Sequence, residues 1–390
     1  IEVLRSGMKK IRTEDHPEHV LTLLLAEQRM IRSADRDKRE KRHRENQSER
    51  QAALKIITNR AALDDLSEEA FQLLSEFQNA THPNVKQRIQ RILDNPLMQN
   101  EMLALSFSAR LRYHVAHSFC YKMLGNKEKT LWHQLELVKV WESRPDQQLQ
   151  KPRTYQQAII NYLNTRARSG HHEEIDRRLA QAEAIHIPDR AERAAGFYFI
   201  AGFKLFYQMN YLPTNAALQT ATSIEQELKE HQKYLDAGII ANLLNNLGTL
   251  MYVTDNVQQS VSYYTRIINQ RGKLRKDLQG TARMMITLLN YNPKDIDYVE
   301  SLNRAAQRYF KTNPEVDAAN TITYRYIKRL LDARNKKETN GILQELESVL
   351  NEFQDREIMP NGMEELQLWT QSQLTGKTVG QIWRKRIGLD

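Results

Sequence analysis

The chain has 390 residues with one Cys, 14 Gly and 10 Pro, the last two at about half their usual share. One Cys excludes intrachain disulfides and Cys-based metal cages. Scarce Gly and Pro argue against a large sheet domain, which needs many such turns. The net charge of +9 and pI near 9.4 raise nucleic acid or an acidic partner, while a mean hydropathy of −0.67 argues against a membrane span. Even the longest uncharged run, Ala237 to Thr254, carries Asn242, Asn245 and Asn246 and reads as a packed helix.

In chain order, Glu18 to Arg44 reads as one helix, its apolar Val20, Leu21, Leu24 and Leu25 giving way to the charged run Arg36–Arg44. More than half of the basic excess falls between Glu27 and Arg60, where eleven basic residues face six acidic ones. Glu49 to Asn79 reads as a second helix, stopped by His82-Pro83, because a residue before Pro avoids the α region. A shorter helix, Val85 to Leu93, ends at Asp94-Asn95-Pro96. Residues 1–96 thus read as an N-terminal helical region. The chain opens at Ile1 with neither a charged n-region nor an apolar h-region, so no signal peptide is read there.

From Leu97 the pattern repeats. Pairs of long helices are separated by turns at Gly125-Asn126, Gly170-His171, Met209-Asn210, Asp255-Asn256, Asn290 to Pro293 and Asn335-Lys336. Spacings of about 37–45 residues fall within the range that marks a helical solenoid, whose pairs bury their apolar faces only by stacking. Residues 97–352 form this region, and 353–390 read as C-terminal capping helices, with Trp369 and Trp383 docking them.

Several pairs share a residue pattern. One carries Leu244, Leu247-Gly248, Met251, Asp255-Asn256, Ser260, Tyr264 and Ile267; another carries Tyr198, Ala201-Gly202, Leu205, Asn210-Tyr211, Leu218 and Ala221. Gly202 and Gly248 are expected where paired helices approach closely. These pairs resemble tetratricopeptide repeats, with a period longer than the usual 34 residues. Through Leu21–Glu27, Leu243–Leu247 and Lys276–Arg283, the whole chain is similar to uncharacterised bacterial tetratricopeptide-like proteins. The resemblance implies an all-α, right-handed α-α superhelix.

Signatures of catalysis are scarce. GxGxxG, HExxH, GxSxG and EF-hand patterns are missing. Gly376-Lys377-Thr378 copies the end of a P-loop, but the first glycine of that motif would fall on Gln371, so Thr378 reads as a helix cap. His114, His117 and Cys120 share one helix with His133 on its partner; three-residue spacing spreads His114 to Cys120 over too wide an arc for one tetrahedral centre, leaving His114 and His117 with His133 as the alternative metal set, but the positions match packing sites. They read as packed histidines and a buried thiol. The run Arg36–Arg44 lacks interleaved aromatics to stack on bases, so nucleic acid is disfavoured.

The resemblance implies instead a concave face, built from the first helix of each pair, that holds a peptide. Mapped onto this chain, it places Arg112, Val115, Phe119 and Lys122 there, then Ile160, Asn164, Ala167 and Arg168. Phe199, Phe203, Phe206 and Tyr207 follow, then Asn242, Asn245, Thr249 and Tyr252, and last Arg325 and Arg329. Asn pairs with a peptide backbone, Arg with a carboxylate, and aromatics anchor apolar groups; the three Phe also fit an interior packing role. The expected protein is a non-enzymatic scaffold, without cofactor or metal, located in the cytoplasm and binding a protein or peptide. The alternative is a peptide-sensing bacterial regulator whose output module lies at or upstream of the N-terminal helices.

Overall fold

A computed structural model describes residues 2–9, 16–32, 36–77, 83–211, 214–270, 276–313, 318–353 and 362–389; the side chains at 2, 8, 9, 36–38, 214, 215 and 318 lie outside the description. His82, the expected helix stop, and part of the run Arg36–Arg44 therefore lie outside it. The described residues are all-α and carry no strand. None of their helices is long and apolar enough to cross a membrane. The chain divides into two compact units, residues 1–186 and 187–390.

The first unit contains α1 (Glu2–Lys9), α2 (Pro17–Ile31), α3 (Arg36–Phe77), α4 (Pro83–Leu93), α5 (Phe107–Met123), α6 (Lys127–Glu142), α7 (Pro145–Gln150), α8 (Pro152–Arg168) and α9 (Ile175–Glu183). The single helix expected from Glu18 to Arg44 is divided between α2, which ends at Ile31, and α3, while the break expected between Arg44 and Glu49 is absent: α3 runs unbroken for 42 residues, roughly 60 Å. Residues 45–48 contain neither Gly nor Pro. Asn46, a natural cap residue, instead sends its amide across to Leu24 O (2.8 Å) and Glu27 Oε2 (2.9 Å) on α2. Arg5 of α1 closes this network with bonds of 2.6 and 2.9 Å to the fully buried Glu27 carboxylate.

Helices α5 and α6 form an antiparallel pair about Gly125, which turns the chain at φ 70°, a conformation glycine adopts without steric cost. Asn126 caps α6 by accepting from Lys129 N at 3.0 Å, and Ser106 caps α5 by accepting from Ala109 N at 3.1 Å. Pro145 and Pro152 each open a helix, where a missing N–H leaves no bond unmade.

The second unit contains α10 (Arg190–Tyr211), α11 (Thr214–His231), α12 (Ala237–Val253), α13 (Val257–Asn269), α14 (Lys276–Leu289), α15 (Ile296–Thr312), α16 (Ala318–Asp332), α17 (Lys336–Asn351), α18 (Met363–Thr375) and α19 (Val379–Arg386). Helix α10 runs to Tyr211, one residue beyond the turn expected at Met209-Asn210, and the Asn210 amide donates to Phe206 O (2.7 Å) inside the helix. Asp255 makes the α12–α13 turn at φ 61°, and Asn335 caps α17.

Gly248 sits against the Tyr264 ring, where a Cβ would come within 2.9 Å of Cζ. Gly202 does not do the same. A Cβ there meets nothing within 4 Å, so the close approach expected at that glycine is not made. One apolar cluster runs through this unit, from Phe197 on α10 to Trp369 on α18 and Val379 on α19.

Candidate functional site

A cleft of about 390 Å³ lies in the first unit between α5, α6 and α8. Leu111, Arg112, Val115 and Phe119 line it from α5, Leu137 and Trp141 from α6, and Thr154, Gln157, Ala158 and Asn161 from α8. The α5 stripe follows from helical spacing, since residues three and four apart share a face. The apolar floor and amide-rich wall suit an extended chain, whose backbone needs donors and acceptors while its side chains need apolar contact.

Of the expected site residues, Arg112 and Phe119 fall on this cleft, as does Val115. Arg112 also pairs with Asp64 of α3 at 2.6 Å, which fixes its guanidinium beside the mouth. Asn164 stays half-buried and donates to its own helix at Ile160 O (3.0 Å); Asn161, one turn earlier, takes the cleft position. Ile160 and Ala167 are fully buried, so the α8 stripe expected from them is rotated away from the observed one. The observed face is legible another way. The offset that carries Ser108 to Thr154 also carries Leu111 to Gln157, Val115 to Asn161 and Lys122 to Arg168.

Lys122 and Arg168 thus hold equivalent positions at the C-terminal ends of α5 and α8. Partial burial, reinforced by the charge of Arg168, lowers the Lys122 pKa. The end of the stripe is therefore cationic, an environment that favours an anionic group.

The corresponding residues of the second unit are differently placed. Helices α18 and α19 lie on α12, α14 and α16. Tyr252 is buried and donates its hydroxyl to Glu365 O of α18 (3.1 Å), and Thr249 donates to Glu365 Oε1 (3.3 Å). The Asn245 side-chain oxygen is buried without a partner on the same helix. Burial raises the pKa of the Glu365 carboxyl.

Asn242 accepts from Tyr198 at 3.3 Å. Phe203 is 1% exposed and stacks on Tyr207 with ring centroids 5.7 Å apart. Arg329 is held by two 2.6 Å bonds to Glu345, whereas Arg325 on the same helix is exposed. The structure therefore brings Arg112 and Phe119 to one cleft and gathers Tyr252 under the chain's own C-terminal hairpin.

That hairpin is held by its own polar contacts. Trp369 donates to Leu288 O (3.1 Å) and Trp383 to Met209 O (2.8 Å), so both tryptophans dock the last two helices. Thr378 caps α19 within a capping box. The Asp255 carboxylate reaches across the unit to accept from Thr378 Oγ1 (2.6 Å) and Gly380 N (2.8 Å).

His114, His117 and His133 are buried between α5 and α6, at 0, 5 and 6% exposure. His114 Nδ1 faces His133 Nδ1 at 3.1 Å, His117 Nδ1 donates to Tyr113 O at 3.0 Å, and the His117 and His133 rings stack with centroids 4.3 Å apart. Burial lowers the pKa of all three, and the neighbouring rings and Lys129 help hold His133 at about 2. Cys120 is fully buried and its thiol is pushed up to about 12 by desolvation. No group of three or more His, Cys, Asp or Glu among the described residues is arranged to hold a metal ion.

Comparison with protein-family models, curated proteins and solved structures finds no match to this chain.

Proposed function

We propose that the chain is a non-enzymatic scaffold that binds a protein or peptide segment, and that its helix pairs are tetratricopeptide-like units of a right-handed superhelix. The carrying observation is the cleft lined by α5 and α8, the first helices of successive pairs, with Phe119 in its floor and Asn161 and Gln157 in its wall. From Ser108 to Lys122 the stripe runs roughly 20 Å, the span of about six extended residues. Arg112 near the mouth and the Lys122–Arg168 end favour a segment with acidic residues. The occupied face of the second unit supports the same location, because α18 and α19 already cover α12 there.

The reading is tested with the full-length chain at pH 7.4 and a library of fluorescein-labelled peptides of about ten residues, each carrying one aromatic and one to three acidic residues. Some of these peptides bind with Kd in the micromolar range, and Phe119→Ala or Asn161→Ala weakens them at least tenfold while Tm stays within a few degrees. Binding that neither substitution changes, or no binding across the library, overturns it.

A further inference from the structure

We propose that the α5–α6 pair is an acid-sensitive joint: protonation of the His114–His117–His133 cluster parts the two helices and disrupts the cleft that they line.

The geometry imposes the sensitivity. Two Nδ1 atoms 3.1 Å apart need one N–H and one lone pair. The cluster has room for a first proton on His114, whose Nε2 faces Glu101 Oε1 at 3.5 Å while its Nδ1–H donates to His133. A second proton on His133 would set N–H against N–H in a dry interior, where an unmade bond and an unpaired charge are both costly. His117 can carry a proton against the Tyr113 carbonyl, but its ring stacks face to face on His133, and two charged rings at that separation repel, so a charge on His117 further opposes one on His133.

The surroundings carry mixed charges. Helix α5 contributes Arg110, Tyr113 and Tyr121; α6 contributes Lys129, Glu136 and Trp132, which meets the His133 ring edge-on; and the turn before α5 contributes Glu101 and the Met98 carbonyl. Helix α3 contributes the apolar Leu63 to the packing around Tyr113. Among the described residues, only Glu101 stands within 4 Å of a cluster nitrogen as an acid, and it serves one ring. Parting the helices lets water reach all three rings.

Leu111, Arg112, Val115 and Phe119 on α5 and Leu137 and Trp141 on α6 line the cleft, so the joint and the cleft share both helices. The consequence for a bound peptide rests on the function proposed above; the opening itself does not.

The test is amide hydrogen exchange of the full chain at pH 7.0 and 5.0, corrected for the intrinsic pH dependence of exchange. The α12–α13 pair, which contains no histidine, is the internal reference. A histidine kept neutral in the closed pair and titrating near 6.5 when open lowers protection roughly 25-fold over that interval. The expected loss in α5–α6 relative to α12–α13 is at least that. Equal retention in the two pairs, within twofold, overturns the proposal.

The double variant His114→Leu/His133→Phe removes both sides of the Nδ1 contact and leaves no orphaned polar atom there. It is expected to lose most of the acid sensitivity. If it loses protection as much as the parent, the sensitivity lies elsewhere and the proposal fails; if it does not fold, exchange in the parent chain decides alone. Failure of every peptide to bind at pH 7.4 would remove the function proposed above without touching this result.

Discussion

Gly248 and Gly202 occupy interior positions of long helices, and only one of them is needed for contact. A Cβ at 248 would press on the Tyr264 ring, which is itself fully buried, whereas a Cβ at 202 meets open space. Gly248→Ala is therefore expected to cost about 1–3 kcal/mol by overpacking. Gly202→Ala is expected to gain about 0.5–1 kcal/mol from helix propensity. Urea unfolding of the two variants separates these outcomes by sign.

Glu365 offers a second residue-scale prediction. Its folded pKa is raised by burial, so its contribution to stability is fully present below the unfolded value near 4.3 and is lost as pH rises through the folded value. Glu365→Gln keeps the shape and removes the ionisation. The variant is expected to be more stable than the parent at pH 7, with the gap closing towards pH 4, as measured by urea unfolding at both pH values.

Among the elements, α19 is short, yet it is tied to a turn far away in the chain by two bonds to the Asp255 carboxylate. Asp255→Gly keeps a residue suited to φ 61° and deletes the tie. Amides of residues 379–389 are expected to lose protection roughly tenfold or more, in line with about 1–3 kcal/mol for bonds to a charged acceptor, while α12 and α13 keep theirs. At the other end, Arg5→Met leaves Glu27 buried with its ion pair broken, a change expected to cost about 3 kcal/mol. Adding Glu27→Leu should recover most of it, and urea unfolding of the single and double variants decides.

The helical class, the Gly125 and Gly170 turns and the Thr378 cap were readable from residue identity, because φ and capping are set locally. The unbroken α3 was not, since Asn46 looks like a cap until its bonds to α2 are seen. Arg112 and Phe119 could be placed by spacing along one helix. On α8, Arg168 could be placed on the same stripe by spacing, whereas Ile160 and Ala167 turn out to be buried, because the rotation of one helix against the next depends on packing that no local pattern encodes. Tyr252 reads as a groove residue for the same reason, since its partner Glu365 lies 113 positions away.

At the scale of the molecule, the two units carry opposite responses to acid. The first buries neutral histidines, whose protonation favours unfolding as pH falls below about 6.5; the second holds a half-buried, desolvated carboxyl that prefers to be protonated. Tryptophans report on each: Trp132 and Trp141 in the first, Trp369 and Trp383 in the second. In variants retaining only the tryptophans of one unit, moving from pH 7 to pH 5 is expected to lower the urea midpoint reported by the first unit. The midpoint of the second is expected to hold or rise. A common shift in both reporters would show that acid acts on something other than these buried groups.

The closing contacts of the second unit also order events in time. Trp383 bonds to Met209 across 174 positions and Gly380 to Asp255 across 125, so that core cannot be completed until the last helices have been synthesised. The first unit is complete by residue 186, and domains made earlier can fold while translation continues. While the chain is being made, the first unit can thus fold before the second, whose core lacks the contributions of Leu366, Trp369 and Val379 until α18 and α19 emerge. Long-range closure of that kind slows folding, and apolar surface left open in that interval favours aggregation.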